Sequence, residues 1–298
     1  MESSSGTTLK KPVKAVLFDF DGTLSTLRAG WEETMAPMMK EAIAGSRQLT
    51  QEESEALDRE IADYIDQSTG IQTIFQMRWL ADQVAKKGWN EQVLGEWEYK
   101  AEYNRRLLET VQRRIADLEE GKLRASDYLM KGSEAFLELL HARGIEMFVA
   151  SGTDHPDVVN EAKVLGVHAY FKEIAGAPVG RADCSKEKVM RDLLEQKGFR
   201  SEELAIIGDG KVEIRIAREN GALALGLASD ENEREGINPV KLERLKTAGA
   251  NRIAGDFTNT AEWLEWLAPH RRAGMAGGGD RGTRGAEAGR VYAANGGM

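Results

Sequence analysis

From Ser133 onward the chain repeats one pattern: a short apolar run, a turn, then a helix-length stretch of mixed polarity. Ser133 to Arg143 predicts a helix closed by Gly144. Ile145 to Ala150 predicts a strand, and Asp157 to Leu165 a helix closed by Gly166. Downstream, Ala205 to Ile207, Leu223 to Leu227 and Arg252 to Ala254 are short apolar runs, separated by helices expected near 186–197, 211–220 and 238–248. Strands that alternate with helices pair in parallel through right-handed crossovers, and the helices then cover both faces of the sheet. The pattern therefore predicts an α/β fold, a Rossmann-like open parallel sheet, with its ligand site beyond the carboxyl ends of the strands.

The first strand stands apart from the others. Val13 to Phe20 reads VKAVLFDF, too short for a free-standing helix and rich in residues suited to a buried strand, and it ends in the turn signal Asp21-Gly22-Thr23. Helical periodicity then runs without a strand candidate from about Trp31 to Glu119, with helices expected near 31–44, 50–67, 71–87 and 90–119. The expected organisation is an α/β core formed by 13–24 and 131–268, interrupted by an all-α segment over 25–130. A loose polar leader over 1–12 and a Gly- and Arg-rich tail over 269–298, expected to stay disordered, complete the chain. Trp31, Phe75, Trp79, Trp89 and Trp97 recur through the helical segment and are expected to pack its core, while Arg105 and Arg106 read as solvated.

Composition narrows the classes of function. The formal net charge of −9 disfavours nucleic acid as a partner, and the arginines of the tail lack interleaved aromatic residues apart from Tyr292. No apolar stretch approaches the roughly 20 residues that span a bilayer, and the N-terminus carries no apolar block of a secretory signal. A cytoplasmic protein with no membrane partner is the resulting expectation. The single cysteine, Cys184, cannot form an internal disulfide and suits a reducing compartment.

Chemistry is expected where strands end. Asp19 and Asp21 close the first strand, and alternate residues share a face, so both carboxylates lie on one side of the chain. Like charges that close repel unless a cation or proton is shared. Mg²⁺, which prefers oxygen ligands, would relieve the repulsion at Asp19, with the Asp21 backbone carbonyl as a second ligand and the Asp21 side chain left for proton transfer. A calcium-loop reading of the Asp-x-Asp-Gly string fails, because the glycine falls too early and a strand precedes it.

The string DFDGTL after a hydrophobic strand resembles the first motif of the haloacid dehalogenase superfamily, and three later motifs follow in that family's order. Ser151 resembles the second-motif hydroxyl and Lys186 the third-motif lysine, with Lys188 as its competitor. Asp209 and Glu213 resemble the acidic fourth motif. The resemblance implies Asp19 as nucleophile forming an aspartyl-phosphate, Asp21 as acid and base, Ser151 bonded to a phosphoryl oxygen, and Lys186 neutralising the transferring group. It also implies Mg²⁺ held by Asp19, the Asp21 carbonyl and Asp209, with Glu213 acting through water. Thr23, Arg28, Ser151, Gly152 and Lys186 are the expected substrate contacts. His155 is a peripheral candidate, although Pro156 after it suggests a helix start.

The helical segment would be a mobile cap over a small phosphorylated metabolite such as a sugar phosphate or a phosphoglycolate-like compound. Family members that displace halide from carbon commonly lack an acid two residues after the nucleophile, so Asp21 disfavours dehalogenation. A phosphosugar mutase is the nearest alternative, and a non-catalytic binding module on this fold a remote one.

Overall fold

The computed structural model of the chain describes residues 11–182 and 186–268. Most of the expected leader, the tail and Cys184 lie outside the described residues. Six strands form one sheet: β1 (Ala15–Phe18), β2 (Glu146–Asp154), β3 (Glu173–Ala177), β4 (Leu204–Gly208), β5 (Leu223–Leu227) and β6 (Arg252–Ala254). Their spatial order is β3-β2-β1-β4-β5-β6, and every neighbouring pair is parallel. The order reverses direction at β1, so β1 and its neighbours open a crevice at their carboxyl ends.

Strand alternation builds two cores from one sheet. Val16 and Phe18 of β1 point to the same side as Met147 and Val149 of β2 and Ala205 and Ile207 of β4. Ala15 and Leu17 point to the other side with Phe148, Leu204 and Ile206. Helices α5 (Ser133–Ala142) and α6 (His155–Val164) bury their apolar residues against the first side, joined by Trp263 and Leu267 of α10 (Thr260–Leu267). On that side Phe136 stacks on Phe257 at 5.0 Å and Trp263 tilts against both. Such aromatic pairs are worth about 0.5–1.5 kcal/mol each beyond their burial. Helices α7 (Lys186–Glu195), α8 (Lys211–Glu219) and α9 (Pro239–Thr247) cover the second side.

Gly132 shows how closely α5 is seated. Its φ is +81°, and a Cβ there would lie 2.3 Å from the Phe257 carbonyl carbon. Gly132→Ala is expected to lower stability by about 2 kcal/mol or more, through both the left-handed backbone and the collision. Urea unfolding with an unchanged slope and an unchanged midpoint would contradict this.

Between β1 and α5 lie four helices, α1 (Trp31–Ala44), α2 (Gln51–Ser68), α3 (Thr73–Lys87) and α4 (Glu96–Glu119). They share a hydrophobic cluster of their own, built from residues such as Met35, Met39, Ile61, Leu80 and Leu107 at helical spacing. Thr50 caps α2 in a reciprocal arrangement with Glu53, the Thr-x-x-Glu signature of a helix start. The expected helix over 90–119 begins only at Glu96. Asn90 instead bonds the Gln92 N–H and the Ala42 carbonyl, so its side chain satisfies backbone groups outside a helix. Of the five aromatics expected in this core, Trp97 is exposed, and Trp79 stacks on Tyr64 at 3.9 Å.

The chain enters and leaves this helical layer side by side. Met130 N–H donates to the Leu24 carbonyl and Thr26 N–H to the Tyr128 carbonyl. Arg114 of α4 also donates to the carbonyls of Leu27 and Ala29. Farther away, Asp66 of α2 accepts from Lys211 of α8 and Arg244 of α9, which ties the helical layer to the sheet layer.

Candidate active site

A cleft of about 750 Å³ lies between the helical layer and the carboxyl ends of β1, β2 and β4. Asp19, Asp21, Arg28, Ser151, Gly152, Lys186 and Asp209 all line it. Seven residues expected from sequence to share a site are therefore brought together, from positions spread over most of the chain.

Asp19 is buried at the end of β1, where its N–H donates to the Ile207 carbonyl of β4. Lys186, the first residue of α7, reaches it from the side: Nζ donates to Asp19 Oδ1 at 2.7 Å and also to Glu213 Oε1. Lys188, on the same helix, is exposed and does not line the cleft. Burial pushes the Asp19 carboxyl well above the usual range; Lys186 opposes this, while Glu213 and Asp209 add to it. Burial alone would lower the Lys186 pKa, yet Asp19 and Glu213 together hold the ammonium above an ordinary lysine. A protonated, buried lysine thus stands beside the Asp19 carboxyl.

Asp21 is held by β2. Thr153 Oγ1 donates to Asp21 Oδ2 at 2.8 Å, and Ser151 Oγ lies 3.4 Å from the same oxygen. Ser151 and Thr153 face the same side because β2 runs beyond the expected end at Ala150 to Asp154, with a register irregularity against β3 in that stretch. The second Asp21 oxygen, Oδ1, is buried without a hydrogen-bond partner.

Asp209 follows β4, and the glycines around it make room for Glu213. A Cβ at Gly208 would lie 2.4 Å from Glu213 Cγ, and one at Gly210 would lie 2.6 Å from Glu213 Oε2. The turn after β1 is shaped by the same crowding. Gly22 has φ +72°, and a Cβ there would lie 2.5 Å from Asp209 Oδ2. The fourth-motif acid is therefore pressed against the loop that carries Asp21.

Lys241 of α9, which sequence reasoning did not single out, donates to Asp209 Oδ2 at 2.7 Å and to Glu231 Oε1 at 2.7 Å. It also reaches Ser229 Oγ, which in turn donates to the Gly22 carbonyl. Burial disfavours its charge, but Asp209 and Glu231 keep it protonated.

Among the described residues no group of three or more His, Cys, Asp or Glu side chains is gathered as a ready-made metal cage. Mg²⁺ does not require one, since it keeps several waters and binds through one or two carboxylates plus substrate phosphate. The Asp19 and Asp209 carboxylates and the Asp21 carbonyl are hard oxygen donors gathered around one loop, with Asp209 held against Gly22. The donor set fits that ion.

One expected contact, Thr23, and the peripheral candidate His155 are placed elsewhere. Thr23 is fully buried in the turn after β1, its Oγ1 has no hydrogen-bond partner, and it does not line the cleft. His155 is the exposed first residue of α6, and its Nδ1 accepts the Gly176 N–H at 3.4 Å, away from the cleft. Arg28 does line the cleft, but its guanidinium is engaged by Glu161 and Asp157 of α6, with Asp21 Oδ1 at 3.9 Å. The α2–α3 connection closes the cleft from above: a Cβ at Gly152 would meet the Ile71 carbonyl at 2.6 Å, and Thr69, Gly70 and Ile71 line the cleft together with Asp19 and Asp21.

Residues 13–221 match the haloacid dehalogenase-like hydrolase family, and the chain belongs to it. A 5'-nucleotidase from Pseudomonas aeruginosa is 28% identical over 96 residues, covering 32% of this chain and 43% of that protein. The chain thus spans less than half the length of that relative. Among solved structures, a predicted phosphoglycolate phosphatase from Haemophilus somnus is 16% identical with a TM-score of 0.57, covering 84% of this chain and 97% of that one. A predicted phosphatase from Clostridium acetobutylicum is 19% identical with a TM-score of 0.56, over 85% and 99%. A beta-phosphoglucomutase from Clostridium difficile is 14% identical with a TM-score of 0.55, over 86% and 97%. These likenesses are of fold. No helix among the described residues is long and apolar enough to cross a membrane.

Proposed function

We propose that this hydrolase is a magnesium-dependent phosphatase of small phosphate monoesters, and that it works through phosphorylated Asp19. The observation that carries the reading is one constellation in one cleft: Lys186 bonded to Asp19, and Asp21 held two residues away by Thr153 and Ser151.

Asp19 attacks phosphorus in line while the bond from phosphorus to the leaving alcohol oxygen breaks, and the Asp21 carboxyl gives that oxygen its proton. Water then attacks the phosphorus of the acyl phosphate, Asp21 takes the water proton, and the bond to Asp19 breaks to release phosphate. Lys186 offsets negative charge on Asp19 and the transferring group throughout, and the Ser151 hydroxyl is placed to donate to a phosphoryl oxygen. Such fixed donors supply most of the rate in phosphoryl transfer. Mg²⁺, held by Asp19, Asp209 and the Asp21 carbonyl, would supply electrostatic neutralisation of the phosphoryl oxygens; Glu213 would support Lys186 and a metal-bound water.

Residues 25–130 act in this reading as a cap that hinges at the paired crossings near Leu24 and Met130 and excludes water when shut. The cap supports a small substrate that can be enclosed.

Protein treated with EDTA is expected to lose phosphate release from p-nitrophenyl phosphate and from a metabolite panel, and added Mg²⁺ to restore it. Full turnover in the chelated, metal-free protein would refute the metal requirement. Isomerised phosphosugar without free phosphate would identify a mutase instead.

A further inference from the structure

Among the described residues three cationic side chains line the cleft, and of these Lys186 is the one bonded to Asp19. The other two, Arg28 and Lys100, line the part of the cleft where the leaving group must sit. Both are already neutralised by this chain's own acids. Arg28 Nε and Nη2 donate to Glu161 at 3.0 and 2.6 Å, and Nη2 also reaches Asp157 at 3.3 Å. Lys100 of α4 donates to Asp154 Oδ1, and Asn104, one turn further along the helix, donates to Asp154 Oδ2 at 3.1 Å. Both oxygens of Asp154 are thereby engaged.

Around the leaving-group end the two cations, Arg28 and Lys100, already face Asp154 and Asp157, which line the cleft, and Glu161 behind Arg28, whose carboxyl burial pushes up to about 7. A second anionic group on the substrate would meet no unpaired cation there among the described residues. To bind Lys100 it would have to displace Asp154, and the freed carboxylate would remain beside it as a like charge. What the same walls offer instead is neutral. Trp31 and Tyr103 line the cleft beside Thr73, Gln76 and Asn104, whose hydroxyl and amide groups are uncharged, the two amide nitrogens donating to Ser68 and Asp154. Ring faces beside short polar groups match a molecule that alternates C–H and O–H along its length.

Resting on the phosphatase reading above, we infer that the substrate is the monophosphate of a neutral, polyhydroxylated alcohol, and that the Lys100–Asp154 pair rejects leaving groups bearing a carboxylate or a second phosphate. A sugar phosphate satisfies this chemistry, and a phosphoglycolate-like compound does not. Asp154 here is a specificity-determining residue: it acts by occupying the cation that an acidic substrate would need.

The test compares substrates differing in one charge: glucose 6-phosphate against 6-phosphogluconate, and glycerol 3-phosphate against 3-phosphoglycerate. In the wild-type protein with Mg²⁺, kcat/KM is expected to favour the neutral member of each pair by tenfold or more. Asp154→Asn leaves Lys100 without a carboxylate partner, so the same ratio should fall by about tenfold, chiefly through a lower KM for the acidic member. The ratio is taken within one protein sample, so a change in overall activity does not distort it.

Equal or greater activity on the acidic members in the wild-type protein would overturn the inference, even if Asp154→Asn failed to fold. A ratio unmoved in folded Asp154→Asn would overturn the role of the pair. Hydrolysis of p-nitrophenyl phosphate without any preference within the pairs would sink this inference alone, whereas no phosphate release from any ester would sink the phosphatase reading with it.

Discussion

Asp19→Asn is expected to reduce phosphate release by a factor on the order of 10⁶, the loss seen when a catalytic nucleophile is removed from a preorganised site. The amide is a poor nucleophile and also removes one of the proposed metal donors. The fold should survive the change. Burial pushes the Asp19 carboxyl well above its usual range, which means the folded protein disfavours the anion at any pH above the unfolded value. Replacing that anion with a neutral group of the same size therefore removes an unfavourable burden, and Lys186 keeps Glu213 as its partner. Thermal melting within a few degrees of wild type, together with no trapped phosphoenzyme, is the expected pair of results. Labelled phosphate recovered on the Asp19→Asn protein would place the nucleophile elsewhere.

Asp21→Asn should behave differently, with turnover falling by roughly 10²–10⁴, the usual worth of a positioned acid and base. The amide oxygen can still accept from Thr153, so the side chain should stay where it is. With a substrate whose leaving group needs little protonation, formation of the acyl phosphate should suffer less than its hydrolysis, which still requires a proton to leave water. Phosphorylated Asp19 should consequently accumulate. Rapid-quench trapping that finds less phosphoenzyme than in wild type, or wild-type turnover by this variant, would refute the assignment of acid and base to Asp21.

Strand and helix positions were legible wherever apolar periodicity was strong. The expected strand over Leu223 to Leu227 and helices near 31–44 and 211–220 agree with the structure to within a residue. The third strand was not legible, because Glu-Ile-Ala-Gly-Ala has a single large apolar residue and becomes a strand by pairing with the exposed edge of β2. The helix over Thr260–Leu267 also went unassigned, although Asn259, which accepts the Glu262 N–H, is a readable cap.

At the site, motif spacing located the residues on strand ends, since those positions follow from the fold itself. Thr153 was within reach of the same argument: it lies two residues after Ser151 on one face of one strand. Lys241 was not, because nothing in the sequence around α9 distinguishes it from a solvated lysine, and only packing carries it to Asp209. Thr23 and Arg28 show the converse. Their closeness to Asp21 in sequence suggested substrate contact, yet tight turning buries one, and Glu161 and Asp157, more than a hundred residues away, claim the other.

The place of β1 in the sheet governs when this protein can first become active during synthesis. Ala15 pairs with Glu146 on one side and with Leu204 on the other, so the strand bearing Asp19 is seated only by partners emerging far later. Closing so long a loop adds little to the equilibrium cost, because each doubling of length adds only about 0.6 kcal/mol. The delay is kinetic: non-local pairing must wait for its partner. The four helices between β1 and α5 can meanwhile gather around their own apolar cluster, whose buried residues run from Met35 to Val111. A nascent chain would thus hold its helical layer before it holds the floor of the cleft, with Asp19 locked in place only after β4 has left the ribosome.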